Sequence, residues 1–275
     1  MGIGDDIMAT AEVRRVRRDN PGARIFVGDG QKIYKSEAFE HNPNISTYNP
    51  RPGDLWIYNR TGHRPYIDYS RGVKGKIAFT DYQAKPGDLY FSKIEEVEAV
   101  NCMNEAGVER KQFIVLEPNV KQLFSSTNKD WGWHKWEALM PMLKGLKVVQ
   151  FDYGKPILAG ARKIRTPYFR LACAVVQHAA AVVTTDGGLH HAAAAVGTPG
   201  VVIWGGYSPP SVLGYDLHEN IFPDDPDSPC GNRRPCDHCR RVMESIEPTE
   251  VAERLQACLN DRTNQLLSLS LIHIS

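Results

Sequence analysis

Side chains able to do chemistry fall in four short stretches. Near the start, Gly2-Ile3-Gly4-Asp5-Asp6 runs into IMATAEVRRVRR. Glycines permit a tight turn and close approach by a ligand, and a helix starting behind them offers unpaired backbone N–H groups to an anion. One of two adjacent carboxylates can act as a general base, since a neighbouring like charge raises a carboxyl pKa. The competing role for Asp5 or Asp6 is to cap that helix. In the second stretch, Ser126, Thr127, Asn128 and Lys129 follow the apolar run FIVLEPN. Hydroxyls, an amide and an ammonium together suit a phosphate. The plain alternative is a solvated loop lysine.

The third stretch, AVVTTDGGLHHAAAAVGTPGVVIWGG (181–206), reads as strand, glycine turn, small-residue helix, turn and strand. The helix behind Asp186-Gly187-Gly188 points its N-terminus toward the loop end of a sheet, where a diphosphate fits. His190 and His191 stand about 100° apart on that helix, so they cannot face one ligand equally. The alternative is that Asp186 caps the helix and one histidine is a satisfied core residue. The turn is not G-x-G-x-x-G, which disfavours a nicotinamide enzyme. In the fourth stretch, Cys230, Cys236, Cys239 and His238 offer three thiols and an imidazole. Such a set can bind zinc, but C-x5-C-x2-C departs from the usual ligand spacing, so free thiols are the preferred reading. Cys102, Cys173 and Cys258 read as small apolar residues.

These stretches need elements to position them. Strands are expected at 23–29, 54–59, 76–80, 113–119, 147–153, 161–164, 181–186 and 200–206. Helices are expected at 5–18, 133–144, 168–179, 188–196 and 248–260, with Trp136, Leu139, Met140 and Leu143 forming one helix face and Pro141 kinking it. Strands alternating with helices predict an α/β protein with parallel sheets, and near-continuous apolar runs fit strands covered on both faces. A boundary is placed at residue 108, giving units of 1–108 and 109–262. The tail 263–275, ending LSLSLIHIS, reads as non-native and is set aside.

The whole chain fits this picture. It has 275 residues, 42% hydrophobic and 24% charged, as a globular protein should. Its 33 basic and 32 acidic residues leave a formal charge of +1. No field selects nucleic acid or an anionic membrane, so nucleic acid is excluded as a partner and membrane contact is at most peripheral. The absence of a signal-like start and of a disulfide pattern points to the cytoplasm with reduced thiols.

Four segments, in order, resemble the ADP-heptose:lipopolysaccharide heptosyltransferases, family nine of the glycosyltransferases. GDDIMATAEVRRVRRDNPGARI is similar to the opening loop, helix and strand. NKDWGWHKW matches K-x-W-x4-W on Lys129, Trp131 and Trp136. TTDGGLHHAAAAVGTPGVVIWGGYSP matches D-[ST]-G-x-x-H…A-x-G-[TK]-P-x-[VI]-x-x-[FW]-G. CGNRRPCDHCRRVMESIEPTEV resembles the Cys-containing segment and the I-x-P-x-x-V helix start.

The resemblance implies a GT-B fold: two Rossmann-like domains with parallel sheets facing across a cleft. The C-terminal one would hold a nucleotide-sugar donor and the N-terminal one a glycan or lipid-linked glycan acceptor. It implies inverting transfer of a heptose-like sugar with no metal and no cofactor besides the donor. It assigns Asp5 as the base. Ser126, Thr127, Lys129, Asp186, Gly187, Gly188 and His191 would bind the donor, the two glycines through backbone N–H groups. Family members place a strand just before the Gly-Asp loop, so the N-terminal sheet is expected to lack its first strand. Gly187 stands where the family has Ser or Thr, and no residue after KVVQFDYG matches the family's ribose-holding acid. The alternative is a chain that binds a nucleotide sugar without turning it over.

Overall fold

The computed structural model describes residues 2–272. Helix α1 (Ile3–Asp19) precedes strands β1 (Ile25–Gly28) and β2 (Leu55–Tyr58), which pair in parallel with Ile25 opposite Leu55. Ile7, Val13, Ile25, Val27 and Ile57 form the core of this part, so one face of α1 and the inward residues of both strands meet there. The outward residues of β2 are Trp56 and Tyr58, as the two-residue period of a strand requires. Long loops join these elements. The strand expected at 76–80 does not form. Phe79 makes one isolated bridge to Ile67, and Lys76 one to Asn232. KIAFT alternates, but the described residues give it no neighbouring strand to extend along.

The rest builds one doubly wound layer. Helix α2 (Lys93–Glu105) leads to β3 (Phe113–Glu117). A 3-10 turn at Phe124–Lys129 and helix α3 (Trp133–Leu139) follow. Then come β4 (Lys147–Asp152), β5 (Arg162–Arg165), α4 (Phe169–Val176), β6 (Ala181–Thr185), α5 (Gly188–Ala195) and β7 (Gly200–Ile203). The short α6 (Pro210–Leu213), β8 (His218–Ile221), α7 (Asp237–Ser245) and α8 (Pro248–Ile272) complete it. The strand order is β5-β4-β3-β6-β7-β8, all parallel. Chain direction away from β3 reverses between β3 and β6. Such a switch point opens a crevice at the carboxyl ends of the strands. The fold class is therefore the expected one, parallel α/β.

Three differences have physical causes. Pro141 ends α3 instead of kinking it. Met140–Leu143 continues as a 3-10 turn, because a proline removes an N–H that the α ladder needs. The charged run KIEEVEAV (93–100), outside every expected helix, opens α2, started by a capping box between Ser92 and Glu95. Its Ala99 and Met103 sit in one core with Phe113, Val115 and Leu171, so α2 packs on the second layer although it precedes residue 108. The segment HENI, too polar in sequence to announce a strand, forms edge strand β8, in which His218 and Ile221 are buried and flank Glu219 and Asn220.

Arg170 ties this layer to the first part. Its guanidinium is buried and donates to both oxygens of Glu95, at 2.5 and 3.0 Å, and to the carbonyls of Glu37 and Tyr90. Burial opposes ionisation of Glu95, but Arg170 and the cap bonds from Ser92 hold its pKa near about 2. The tail expected to be non-native enters only as the backbone of α8 to Ile272, and residues 273–275 lie outside the described residues.

Candidate functional site

A cavity of about 640 Å³ opens at the carboxyl ends of β3, β4 and β6. Its walls include Gly2, Ile3 and Gly4 from the start of α1, Ser126 and Lys129 from the 3-10 turn, and Asp186, Gly187 and Gly188 before α5. Two helix N-termini thus converge on one space. Each leaves N–H groups without an intrahelical acceptor, and each carries the positive end of a helix dipole.

Glycine is what lets the two helices meet. A Cβ on Gly4 would lie 2.5 Å from the His191 ring, and one on Gly188 would lie 2.6 Å from Ile3 Cγ2. The alanines that follow in α5 keep the rest of that interface close.

Lys129 lies on this cavity with Nζ 2.7 Å from Asp186 Oδ2 and 5.1 Å from the centre of the Tyr207 ring. Burial works against its charge, but Asp186 more than offsets it and raises the lysine pKa. Burial likewise opposes ionisation of Asp186. Lys129, His190 and the Ser208 hydroxyl, which donates at 2.5 Å, hold that carboxyl well below its usual range. Asp186 is therefore a fixed anion that lines the cavity and holds Lys129, and Gly187, not Asp186, is the N-cap of α5.

Ser126 and Lys129 share the cavity, whereas Thr127, one residue on from Ser126, does not line it. Asn128 points the other way. Its side chain donates to the carbonyls of Asn232 and Arg234 and accepts from the Cys236 N–H at 2.8 Å.

Two further expectations need correction. The Gly187 N–H donates to His190 Nδ1 at 3.0 Å, so it is spent on the helix start. Gly188 and Leu189 carry the N–H groups that an anion would find. His191 does not line the cavity. It is buried between Gly4 and Tyr215, whose hydroxyl lies 2.6 Å from Nδ1. Burial pushes His191 well below the ordinary imidazole pKa, so it packs as a neutral ring. The His190 and His191 rings lie 3.8 Å apart between centres and bond to different partners, the Leu213 carbonyl and the Tyr215 hydroxyl, and neither lines the cavity.

Asp5 and Asp6 divide their roles. The backbone of Gly2 caps α1, so neither carboxylate is the N-cap. Asp6 is buried and accepts from Ser36 Oγ and Asn59 Nδ2, both at 2.7 Å. Burial, with Asp5 beside it, raises its pKa. Asp5 accepts from the Tyr66 hydroxyl at 2.5 Å and pairs with Arg64 at 2.9 Å. It faces a second cavity of about 340 Å³, lined also by Trp56, Tyr58, His63 and Tyr82. One residue earlier, Gly4 lines the first cavity, so Asp5 stands where the two spaces adjoin.

Sequence reasoning missed Glu117 and Tyr153. Both line the larger cavity, and the tyrosine hydroxyl donates to Glu117 at 3.0 Å. Burial lifts the Glu117 carboxyl to about 7. Its signal was position: it is the last residue of β3, beside the switch point.

Cys230, Cys236, Cys239 and His238 bring ligand atoms within 4.8 Å of one another. Cys230 and Cys239 sulfurs are 3.0 Å apart. Burial would raise the Cys236 thiol, but the N–H groups opening α7 bring it down to about 7. The donor set suits a soft cation. Among the described residues, no helix is long and apolar enough to cross a membrane.

Residues 168–237 match the model of glycosyltransferase family 9 (heptosyltransferase). No curated protein sequence matches the chain. A family 9 glycosyl transferase from Veillonella parvula DSM 2008 superposes with TM-score 0.61 at 15% identity, over 95% of each chain. The dodecameric iron-containing heptosyltransferase TibC, solved with ADP-D-beta-D-heptose, gives TM-score 0.60 at 14% identity, over 95% of this chain and 75% of that one. The protein described from the same fold in enterotoxigenic E. coli H10407, again TibC, gives 0.59. E. coli ADP-heptose lps heptosyltransferase II is 22% identical over 64% of this chain, which spans 54% of its length, with TM-score 0.48. The chain therefore resembles glycosyltransferase family 9, heptosyltransferase-like over residues 168–237, and has as a whole the parallel α/β fold of the GT-B glycosyltransferases.

Proposed function

We propose that the protein transfers a heptose-like sugar from a nucleotide diphosphate to a glycan or lipid-linked glycan acceptor, with inversion. The observation that carries this is the convergence of two helix N-termini and Lys129 on one cavity at the switch point of the sheet. Fixed positive groups there would bind the diphosphate and stabilise charge as it departs. The backbone N–H groups of Gly188 and Leu189, the Ser126 hydroxyl and the Lys129 ammonium are the ligands. Glu117 and Tyr153 would meet the nucleoside. Asp5 would accept the proton of the acceptor hydroxyl, whose oxygen then attacks the anomeric carbon opposite the departing diphosphate. Attack from that side inverts the centre. The binding of ADP-D-beta-D-heptose by TibC, which shares this fold, supports an ADP-linked donor.

In this reading the transfer step uses no metal, since Lys129 and the helix ends supply the positive charge. The cysteine knuckle has a separate role. Cys230, Cys236 and Cys239, with His238, would hold a zinc or iron ion that braces the 232–236 loop, to which Asn128 is bonded beside Lys129. Elemental analysis checks this: about one metal ion per chain is expected, falling on Cys236→Ser.

The donor reading is tested with a panel of nucleotide-diphosphate sugars. A ligand at about 100 times its Kd should stabilise the fold by about 2.7 kcal/mol, seen as a higher Tm. ADP-sugars should do so, and NMR of the product should show an inverted anomeric centre. No shift from any donor would end the proposal.

A further inference from the structure

The second cavity carries information on the acceptor. It is built on β2, whose sequence LWIY alternates: Leu55 and Ile57 pack inward with α1, while Trp56 and Tyr58 point to the other face. Tyr58 is 45% exposed. Large aromatic rings left open on a strand face, inside a cavity, need a partner more than a core does. Trp56 is steadied by Phe26 at 5.2 Å between ring centres, and Tyr58 by His63 at 5.5 Å. Rings fixed in this way present flat apolar surface with little entropy left to lose. The C–H faces of a sugar ring fit such a surface, while its hydroxyls need polar groups at the edge. Asp5, Arg64 and Asn59 stand there.

Charge decides what kind of sugar. The carboxylates lining the cavity are Asp5 and Glu12, and Arg64 is already paired with Asp5 at 2.9 Å. Glu12 is likewise paired, with Arg15, so the described lining carries carboxylates already balanced by arginines and no surplus positive charge to hold an acidic or phosphorylated sugar. The volume, about 340 Å³, lies at the small end of ligand sites and suits a single ring.

We propose that this cavity takes an uncharged sugar as the terminal residue of the acceptor, laid against Trp56 and Tyr58 with a hydroxyl toward Asp5. The proposal rests on the reading of Asp5 as the base in a sugar transferase. It is tested by saturation-transfer NMR on the ADP-saturated protein, with methyl glycosides of neutral hexoses and heptoses and with methyl glucuronide and galacturonide. The neutral glycosides should receive saturation on their ring protons, with the uronides at least fivefold weaker. Trp56→Leu and Tyr58→Leu should each raise the Kd about 2- to 10-fold, the span of one lost aromatic contact. Tyr58→Phe should keep the affinity. Unchanged ADP affinity in each variant would show that the fold and donor cavity persist.

Uronides binding as well as neutral sugars, or aromatic variants binding like the parent, would overturn the proposal. ADP binding with no glycoside signal would also overturn it and leave the donor reading standing. Failure of ADP to bind would fall on the donor reading instead, and an aromatic-dependent neutral-sugar signal would still support this cavity as a sugar site.

Discussion

Lys129 is a fixed charge: Asp186 holds it from one side and the Tyr207 ring lies beneath it. If it binds donor phosphate, Lys129→Ala should weaken ADP by about 1.5–3 kcal/mol, the range for a hydrogen bond to a charged group. Isothermal calorimetry of parent and variant decides this, and equal affinities would remove Lys129 from the site. Asp5 makes a different prediction. Asp5→Asn keeps the shape and an acceptor for Tyr66 but loses the basicity. Transfer should fall about a hundredfold or more while ADP affinity stays the same. Retained transfer would shift attention from Asp5. Asp6 is a poor substitute, because Ser36 and Asn59 already hold it in the interior.

At the level of elements, the site is a junction of two helix starts, α1 and α5, and depends on their closeness. Gly4→Ala inserts a methyl 2.5 Å from the buried His191 ring, which Tyr215 prevents from moving freely. Overpacking of this kind costs about 1–3 kcal/mol, more than the helix propensity that alanine regains at about 1 kcal/mol. The expected outcome is a lower Tm together with weaker ADP binding, since parting the helices also parts their N–H groups. A drop in Tm with ADP affinity intact would mean that α1 takes no part in the anion site.

Over the whole molecule, burial of histidines sets the pH response. His178 is held down to about 4 and His218 to about 3, both first by burial. The unfolded chain, with imidazoles near 6.5, then binds more protons than the folded one between those values. Stability should rise with pH over that span and fall as pH drops from about 6.5 toward 4. Glu117 acts in the opposite sense. Its folded pKa of about 7 lies above the unfolded 4.5, so it costs stability as pH rises through that window. Scanning calorimetry should show Tm falling from pH 7 to 5, and falling more steeply in Glu117→Gln, which lacks the opposing carboxyl. A flat profile, or one rising toward acid, would refute this balance.

What the sequence determined by itself was set by short-range rules. Short apolar runs such as FIVLE and AVVTT fit strands covered on both faces, and the Gly-Gly turn followed by alanines fits the start of a tightly packed helix. These rules placed Asp186, Gly188, Ser126 and Lys129 at strand ends, where the structure brings them to one cavity. The tertiary structure decided everything that depends on which neighbour a side chain meets. It sent His191 into the core, gave the Gly187 N–H to His190, and set Asp6 inward with Asp5 outward. It also built β8 at an edge, where pairing with β7 outweighs a polar sequence, and gave KIAFT only isolated bridges. Helical and strand periods fix direction along one element. Burial, ion pairing and pKa arise only when elements far apart in the chain are brought into contact, as Lys129 is with Asp186 and Gly4 with His191.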